Sequence, residues 1–237
     1  MLSGILGAQP FARFSDNLLT LDNAIVKRVI QLKNIDNGLL SKSYSLNSGG
    51  EEFLSSGSED FYFEVDGKPL SGLNIWNLIS VNTVDGESLG NGAIVVLEHP
   101  SLNIKISITY LLYPELPIIR KKIAFLNTGK HDIKLEALDI ERLRFKHSGT
   151  GTHCWIMHDY ARQKALSQFI GNWYDPVVVV HEVNRNRGIV LGNEAPGVMK
   201  RTTAFLKPEL LTTGLTFPDQ NFGFRKWLKP DKQWERV

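Results

Sequence analysis

One cysteine in 237 residues, Cys154, leaves no partner for an internal disulfide and excludes a four-cysteine zinc site. It sits in an apolar stretch, Cys154-Trp-Ile-Met157, as a small buried hydrophobe would. No run approaches the roughly 20 apolar residues that a membrane-spanning helix needs, so no membrane partner is expected. Neither sign of charge is in marked excess. With 27 Lys and Arg against 25 Asp and Glu, the net charge is +2, and no basic run is dense enough to track phosphates, which argues against nucleic acid. The densest cluster, Arg120-Lys121-Lys122, lies inside an alternating strand pattern and reads as a solvated sheet face. Ser48-Gly49-Gly50 and Leu89-Gly-Asn-Gly92 make no phosphate loop, because neither Gly-Lys-Ser/Thr nor a helix follows them. No two of the six histidines have the i, i+4 spacing of a helical zinc site. Neither a metal nor a cofactor is expected.

What the chain does have is strand pattern from end to end. Hydrophobic residues make up 42% and charged residues 22%, enough apolar material for a sizeable core. Leu102 to Tyr110 alternates apolar and polar residues without a break, so one face is buried and the other wet. Leu112-Tyr-Pro-Glu-Leu-Pro117 interrupts that ladder, since proline has no amide donor, and Ile118–Leu126 resumes it. The turn Asn127-Thr-Gly-Lys130 then leads into a third strand region, Ile133–Phe145, giving an antiparallel meander. Asp66-Gly67, Asp85-Gly86 and Asn91-Gly92 punctuate the other candidates at the spacing of an all-β fold. Helical periodicity is weak, and Tyr160–Ile170 is the one stretch predicted as a short helix. More than about fourteen strand signals exceed an immunoglobulin-type sandwich and predict a supersandwich of two large antiparallel sheets, with at most one or two short helices.

Four segments carry a resemblance. Tyr113-Pro-Glu-Leu-Pro-Ile-Ile-Arg120 with Asn127-Thr128-Gly129, then Gly171-Asn-Trp-Tyr-Asp-Pro176, then Gly192 to Thr202, then Phe224-Arg-Lys-Trp-Leu228 follow one another in order. In that order the chain resembles the N-terminal β-domain of bacterial α-galactosidase-like glycosidases, glycoside hydrolase family 36 and its relatives. The resemblance covers roughly residues 16–234 and implies the galactose mutarotase-like supersandwich. It also implies a C-terminal catalytic barrel of the same parent protein as partner, an α-linked galactoside-type carbohydrate as ligand, and catalytic aspartates on that barrel. Retaining hydrolysis requires two carboxylates about 5 Å apart. No Lys-Tyr-Asp segment is present, and His158-Asp159-Tyr160 reverses the order and lacks the lysine, so no catalytic residue is assigned here.

The candidate carbohydrate or domain-interface residues are Trp173, Asp175, Asn193, Glu194 and Trp76. Gly192, Pro196 and Gly197 surround Asn193-Glu194, and a glycine-proline loop can fix an amide and a carboxylate at a strand end. Trp173 then offers an indole face to a sugar or to the next domain. The structural alternative puts Trp173 and Trp76 in the core and spends Asn193 and Glu194 on loop amides. Arg162, Arg201 and Arg225 read as surface arginines without a role.

Residues 1–15 are expected to be a leader or disordered N-terminal segment, and residues 16–237 a single β-supersandwich, with the catalytic barrel outside this chain. Met1 to Pro10 is apolar and small but lacks a basic n-region. The compartment expected is periplasmic or extracellular rather than cytoplasmic. Two rival functions stand beside the accessory domain. A free-standing mutarotase-like sugar epimerase would pair His158 or His181 with Glu182 or Glu194 as acid and base, although no Asn-His-x-Tyr/Phe segment is present. A stand-alone carbohydrate-binding module would need exposed aromatics in a row.

Overall fold

The structure is a computed structural model, and it describes residues 11–32, 38–85, 90–147, 152–157, 162–165, 168–171, 176–195 and 199–236. Apart from a 3-10 turn at Val183–Arg185, every regular element among them is a strand, and every strand pair is antiparallel. The fold is the β-supersandwich expected from the sequence, of the galactose mutarotase-like kind.

Hydrogen bonding groups the strands into four sheets. The first runs in chain order through β1 (Ala12–Ser15), β2 (Leu18–Asp22), β3 (Val26–Leu32) and β4 (Leu39–Leu46). The second, ordered β20-β10-β9-β8-β7, contains β7 (Asn77–Asp85), β8 (Asn91–Glu98), β9 (Ile104–Leu112), β10 (Ile119–Asn127) and β20 (Gln233–Arg236). The third contains β5 (Asp60–Val65), β6 (Lys68–Ser71), β11 (Ile133–Leu143), β14 (Gln168–Gly171), β17 (Lys200–Phe205) and β18 (Leu210–Leu215), with β19 (Arg225–Leu228) paired to β11. The fourth is β13-β12-β15-β16, made of β12 (Thr152–Met157), β13 (Arg162–Ala165), β15 (Val177–Glu182) and β16 (Arg187–Gly192).

Three expectations need correcting. The meander stops at β10: its free edge takes β20, while β11 crosses to the third sheet and pairs with β5 and β18. Tyr160–Ile170 is not helical where it is described: Arg162–Ala165 pairs with β12, and Gln168–Gly171 pairs with β17. Eleven residues of weak periodicity form a marginal helix at best, and ladder bonds to two waiting strands prevail. The sheet also begins before residue 16. Ala12 is buried and β1 pairs with β2 from Ala12 to Ser15, so the expected leader loses its last four residues to the fold.

Period-2 alternation builds two apolar clusters. In β3 the inward row is Val26, Arg28, Ile30 and Leu32, and in β9 it is Ile104, Ile106, Ile108 and Tyr110. The larger cluster joins such rows from β2, β3, β5, β8, β9 and β10 around Phe61, Phe63, Phe125 and Trp76. The smaller gathers Phe53, Leu143, Phe145, Cys154, Val178, Val180 and Leu211, with Tyr44 and Leu46 packed against it. Each fully buried side chain of this size contributes about 1.5–3 kcal/mol by leaving water.

β11 breaks its own alternation. Its register shifts between Glu136 and Asp139 and between Asp139 and Arg142 against β5, and between Asp139 and Glu141 against β18. Ala137 takes a left-handed φ of 50° within this stretch. Bulges re-aim side chains, and here consecutive residues Ile140 and Glu141 are both buried. Glu141 shares its buried face with Leu143, two residues on, where the register against β18 is regular.

Candidate functional site: a cleft over a buried ion quartet

A cleft of about 650 Å³ opens between the β3–β4 region, β10 and β16. Val26, Ile119, Ile189 and Leu191 contribute apolar surface, Tyr44, Phe53 and Tyr113 aromatic surface, and Arg28, Lys121 and Glu141 charged groups. Pockets that hold small molecules have this character, apolar walls with a few convergent polar groups.

The charged groups belong to one network. Arg28 donates from Nη1 to Glu141 Oε2 at 2.7 Å and from Nη2 to Oε1 at 2.8 Å, a bidentate pair, and its Nη2 also reaches Asp60 Oδ1 at 2.6 Å. Lys121 Nζ donates to Asp60 Oδ2 at 2.6 Å and to the Asp60 carbonyl at 2.8 Å, and lies 3.5 Å from Glu141 Oε1. Tyr110 donates its hydroxyl to Asp60 Oδ2 at 2.7 Å, and Ser41 Oγ donates to Oδ1 at 2.8 Å. All four ionic side chains are buried, with Asp60 fully so. The quartet is neutral, two cations against two anions. Removing an ion from water costs several kcal/mol, which only such pairing offsets.

Burial and pairing pull the acidities in opposite directions. Burial alone would raise Asp60, but Lys121 and Arg28, with hydrogen bonds from Lys121 and Tyr110, bring it from 3.8 down to about 2. Burial works against the Arg28 charge, and Glu141 and Asp60 more than compensate, holding the guanidinium well above its ordinary range. Tyr44 is pushed up to about 12, chiefly by burial, so its phenol keeps its proton and remains a donor. Both Glu141 oxygens are taken by Arg28. The floor is built to hold charge still.

At the cleft wall, Arg120 Nη2 donates to Glu194 Oε2 at 2.5 Å, joining β10 to the segment after β16. Asn193, beside it, is buried and structural. Its amide donates to the carbonyls of Gly214 at 2.6 Å and Arg201 at 3.3 Å and accepts from the Ala195 N–H at 3.0 Å. Of the sequence candidates, Asn193 and Glu194 therefore reach the cleft, one as an anchor and one as an exposed carboxylate. Trp76 does not: it is 1% exposed, packs edge-on against Phe61, and donates its indole N–H to the Ser71 carbonyl at 2.9 Å, so it belongs to the core rather than to a rim. Trp173, Asp175 and His158 lie outside the described residues.

Among the described residues no histidine lines the cleft. His181 stands opposite His153 in the β15–β12 ladder, and Glu182 is buried against Arg187. The residues that sequence reasoning missed are the quartet itself. Lys121 is buried rather than on a solvated face, and Arg201 is likewise buried, paired with Asp139 and stacked over Phe217. Arg225 pairs with Glu136 from an exposed position.

The fold is an antiparallel β-supersandwich with a cleft over the ion quartet. No family model and no curated protein matches the sequence. Solved structures do match in fold. The α-galactosidase AgaB of Geobacillus stearothermophilus, from family GH36, superposes with a TM-score of 0.65 at 10% identity, over 95% of this chain and 40% of that one. AgaA from the same organism gives 0.63 at 11% identity, over 92% and 39%. A chain from Escherichia coli K12 assigned as an aldose 1-epimerase gives 0.56 at 10% identity, over 92% and 96%. The chain thus spans about two-fifths of the length of the α-galactosidases it matches.

Proposed function

We propose that this chain is the N-terminal β-domain of an α-galactosidase-type glycoside hydrolase, non-catalytic by itself, which packs on a catalytic barrel and forms one wall of the carbohydrate cleft. The observation that carries the reading is the asymmetry of coverage: nearly all of this chain, 95%, matches AgaB, while 60% of AgaB has no counterpart in it. The chemistry of the cleft agrees. Glu141 is tied down by Arg28, and among the described residues no histidine stands at the cleft to pair with a carboxylate as acid and base. Ile118 and Val190 leave apolar surface exposed at the cleft, which suits a surface that another body covers.

A second reading, a free-standing sugar epimerase, is favoured by one observation, the match over 96% of the aldose 1-epimerase chain. Reading the source gene beyond the codon for Val237 separates the two. The accessory-domain reading expects an open frame that continues through βα repeats with a Lys-Tyr-Asp type segment, and expects the whole gene product to hydrolyse p-nitrophenyl α-D-galactoside. A stop codon at that point, or a continuation without a barrel pattern, overturns it.

A further inference from the structure

We infer that the cleft is a binding site in its own right for a carboxylated monosaccharide, a hexuronate, held by the Arg120 guanidinium, which Glu194 occupies in the free protein. The inference goes beyond the accessory-domain reading, because it uses only residues of this chain. It begins with an incomplete fork. Arg120 donates from Nη2 to Glu194, while its Nε is buried and has no hydrogen-bond partner among the described residues. A buried donor left without an acceptor has given up its hydration for nothing in return. A carboxylate arriving in the guanidinium plane takes Nε and Nη together, the two-point geometry that arginine offers and lysine does not.

Glu194 is the removable member of the pair. Its side chain is 54% exposed against 22% for Arg120, and it lies past the end of β16 rather than in a ladder. A pair this exposed contributes little, so a ligand displaces it readily. The charges below do not compete for the ligand, because Arg28 and Lys121 are already balanced by Asp60 and Glu141. Once Glu194 turns to solvent, Arg120 is the cation left for an anionic group. The rest of the cleft fits a sugar ring. A volume of about 650 Å³ admits one or two rings, Ile119, Leu191 and Tyr113 line it with surface for the C–H face, and the protonated Tyr44 offers a donor to a hydroxyl.

The test is calorimetric and NMR titration of the 237-residue chain with D-galacturonate, D-galactose and acetate. Galacturonate is expected to bind about tenfold more tightly than either of the others, because only it fills both the fork and the cleft. Glu194→Gln is expected to tighten galacturonate about threefold by removing the internal competitor. Arg120→Lys, which keeps the charge and loses the fork, is expected to weaken it about tenfold. Equal affinity for galactose and galacturonate, or acetate binding as well as galacturonate, overturns the assignment. So does an absence of galacturonate binding in both the wild type and Glu194→Gln. Should Arg120→Lys fail to fold by its urea transition, the Glu194→Gln comparison decides. Failure here leaves the reading frame beyond Val237 untouched, so the two proposals fall separately.

Discussion

Asp60 is constrained by burial, backbone and hydrogen bonds at once. It is fully buried, takes a left-handed φ of 70°, and receives hydrogen bonds from Arg28, Ser41, Lys121 and Tyr110. Its acidity in the folded state, about 2 against an ordinary 3.8, makes it a store of stability with a definite sign. A depressed carboxylate contributes fully above its unfolded value and loses its contribution as pH falls through the folded one. The loss is therefore expected between about pH 4 and pH 2 and amounts to about 2 kcal/mol. An NMR titration of the Asp60 carboxyl checks it: a midpoint near 2 agrees, and a midpoint at or above 4 refutes the network's electrostatic balance. Arg28→Met attacks the same network from the other side. It leaves Glu141 and Asp60 as buried anions short of a partner, and urea unfolding at neutral pH should show a loss of about 3–5 kcal/mol, well beyond an ordinary surface substitution.

At the scale of elements, β11 and β18 meet where the register slips, and Gly214 is what lets them meet. A Cβ on Gly214 would stand 2.0 Å from the Leu138 carbonyl oxygen and 2.7 Å from the Asp139 Cα. Gly214→Ala is expected to push β18 off β11, to pull the Gly214 carbonyl away from the Asn193 amide, and to cost about 2–3 kcal/mol in urea unfolding. A loss below about 0.5 kcal/mol would mean that the strands can separate freely. The same strands show what was legible in the sequence and what was not. Alternation located β9 and β10 to within two residues, and the same pattern held the quartet's cations: Lys121 is in phase with Ile119, Ile123 and Phe125, and Arg28 with Val26, Ile30 and Leu32. Their burial was thus present in the pattern and was overridden by the habit of sending charge to solvent. Glu141 keeps the same phase as the buried Leu143 and Phe145; what a period-2 reading does not contain is the register shift that buries Ile140 beside it. β13 and β14 were hidden for a related reason, since four-residue strands draw their stability from partners elsewhere in the chain. The cleft candidate Glu194 was found through its glycine-proline loop, whereas Arg120, its partner 74 residues away, gave no local sign.

At the scale of the whole molecule, an accessory domain and an epimerase share one architecture and differ in what the cleft can do. With Glu141 locked to Arg28 and no histidine at the cleft among the described residues, the chain is expected to leave the mutarotation of α-D-galactose at its buffer rate. Polarimetry checks this, and a rate enhancement of about tenfold or more at micromolar protein would return the chain to the epimerase reading. The quartet has one more consequence, for the order of assembly. Its bonds span 20 to 113 residues of sequence, drawing Arg28 from β3, Asp60 from β5, Lys121 from β10 and Glu141 from β11. No local hairpin can satisfy any of these groups. A chain with one of the four strands still undocked would hold naked charge at the boundary between its two apolar clusters, and water would stay there until the last strand arrived. The four ions work as a checksum on the finished fold, silent when every strand is home and costly when one is missing.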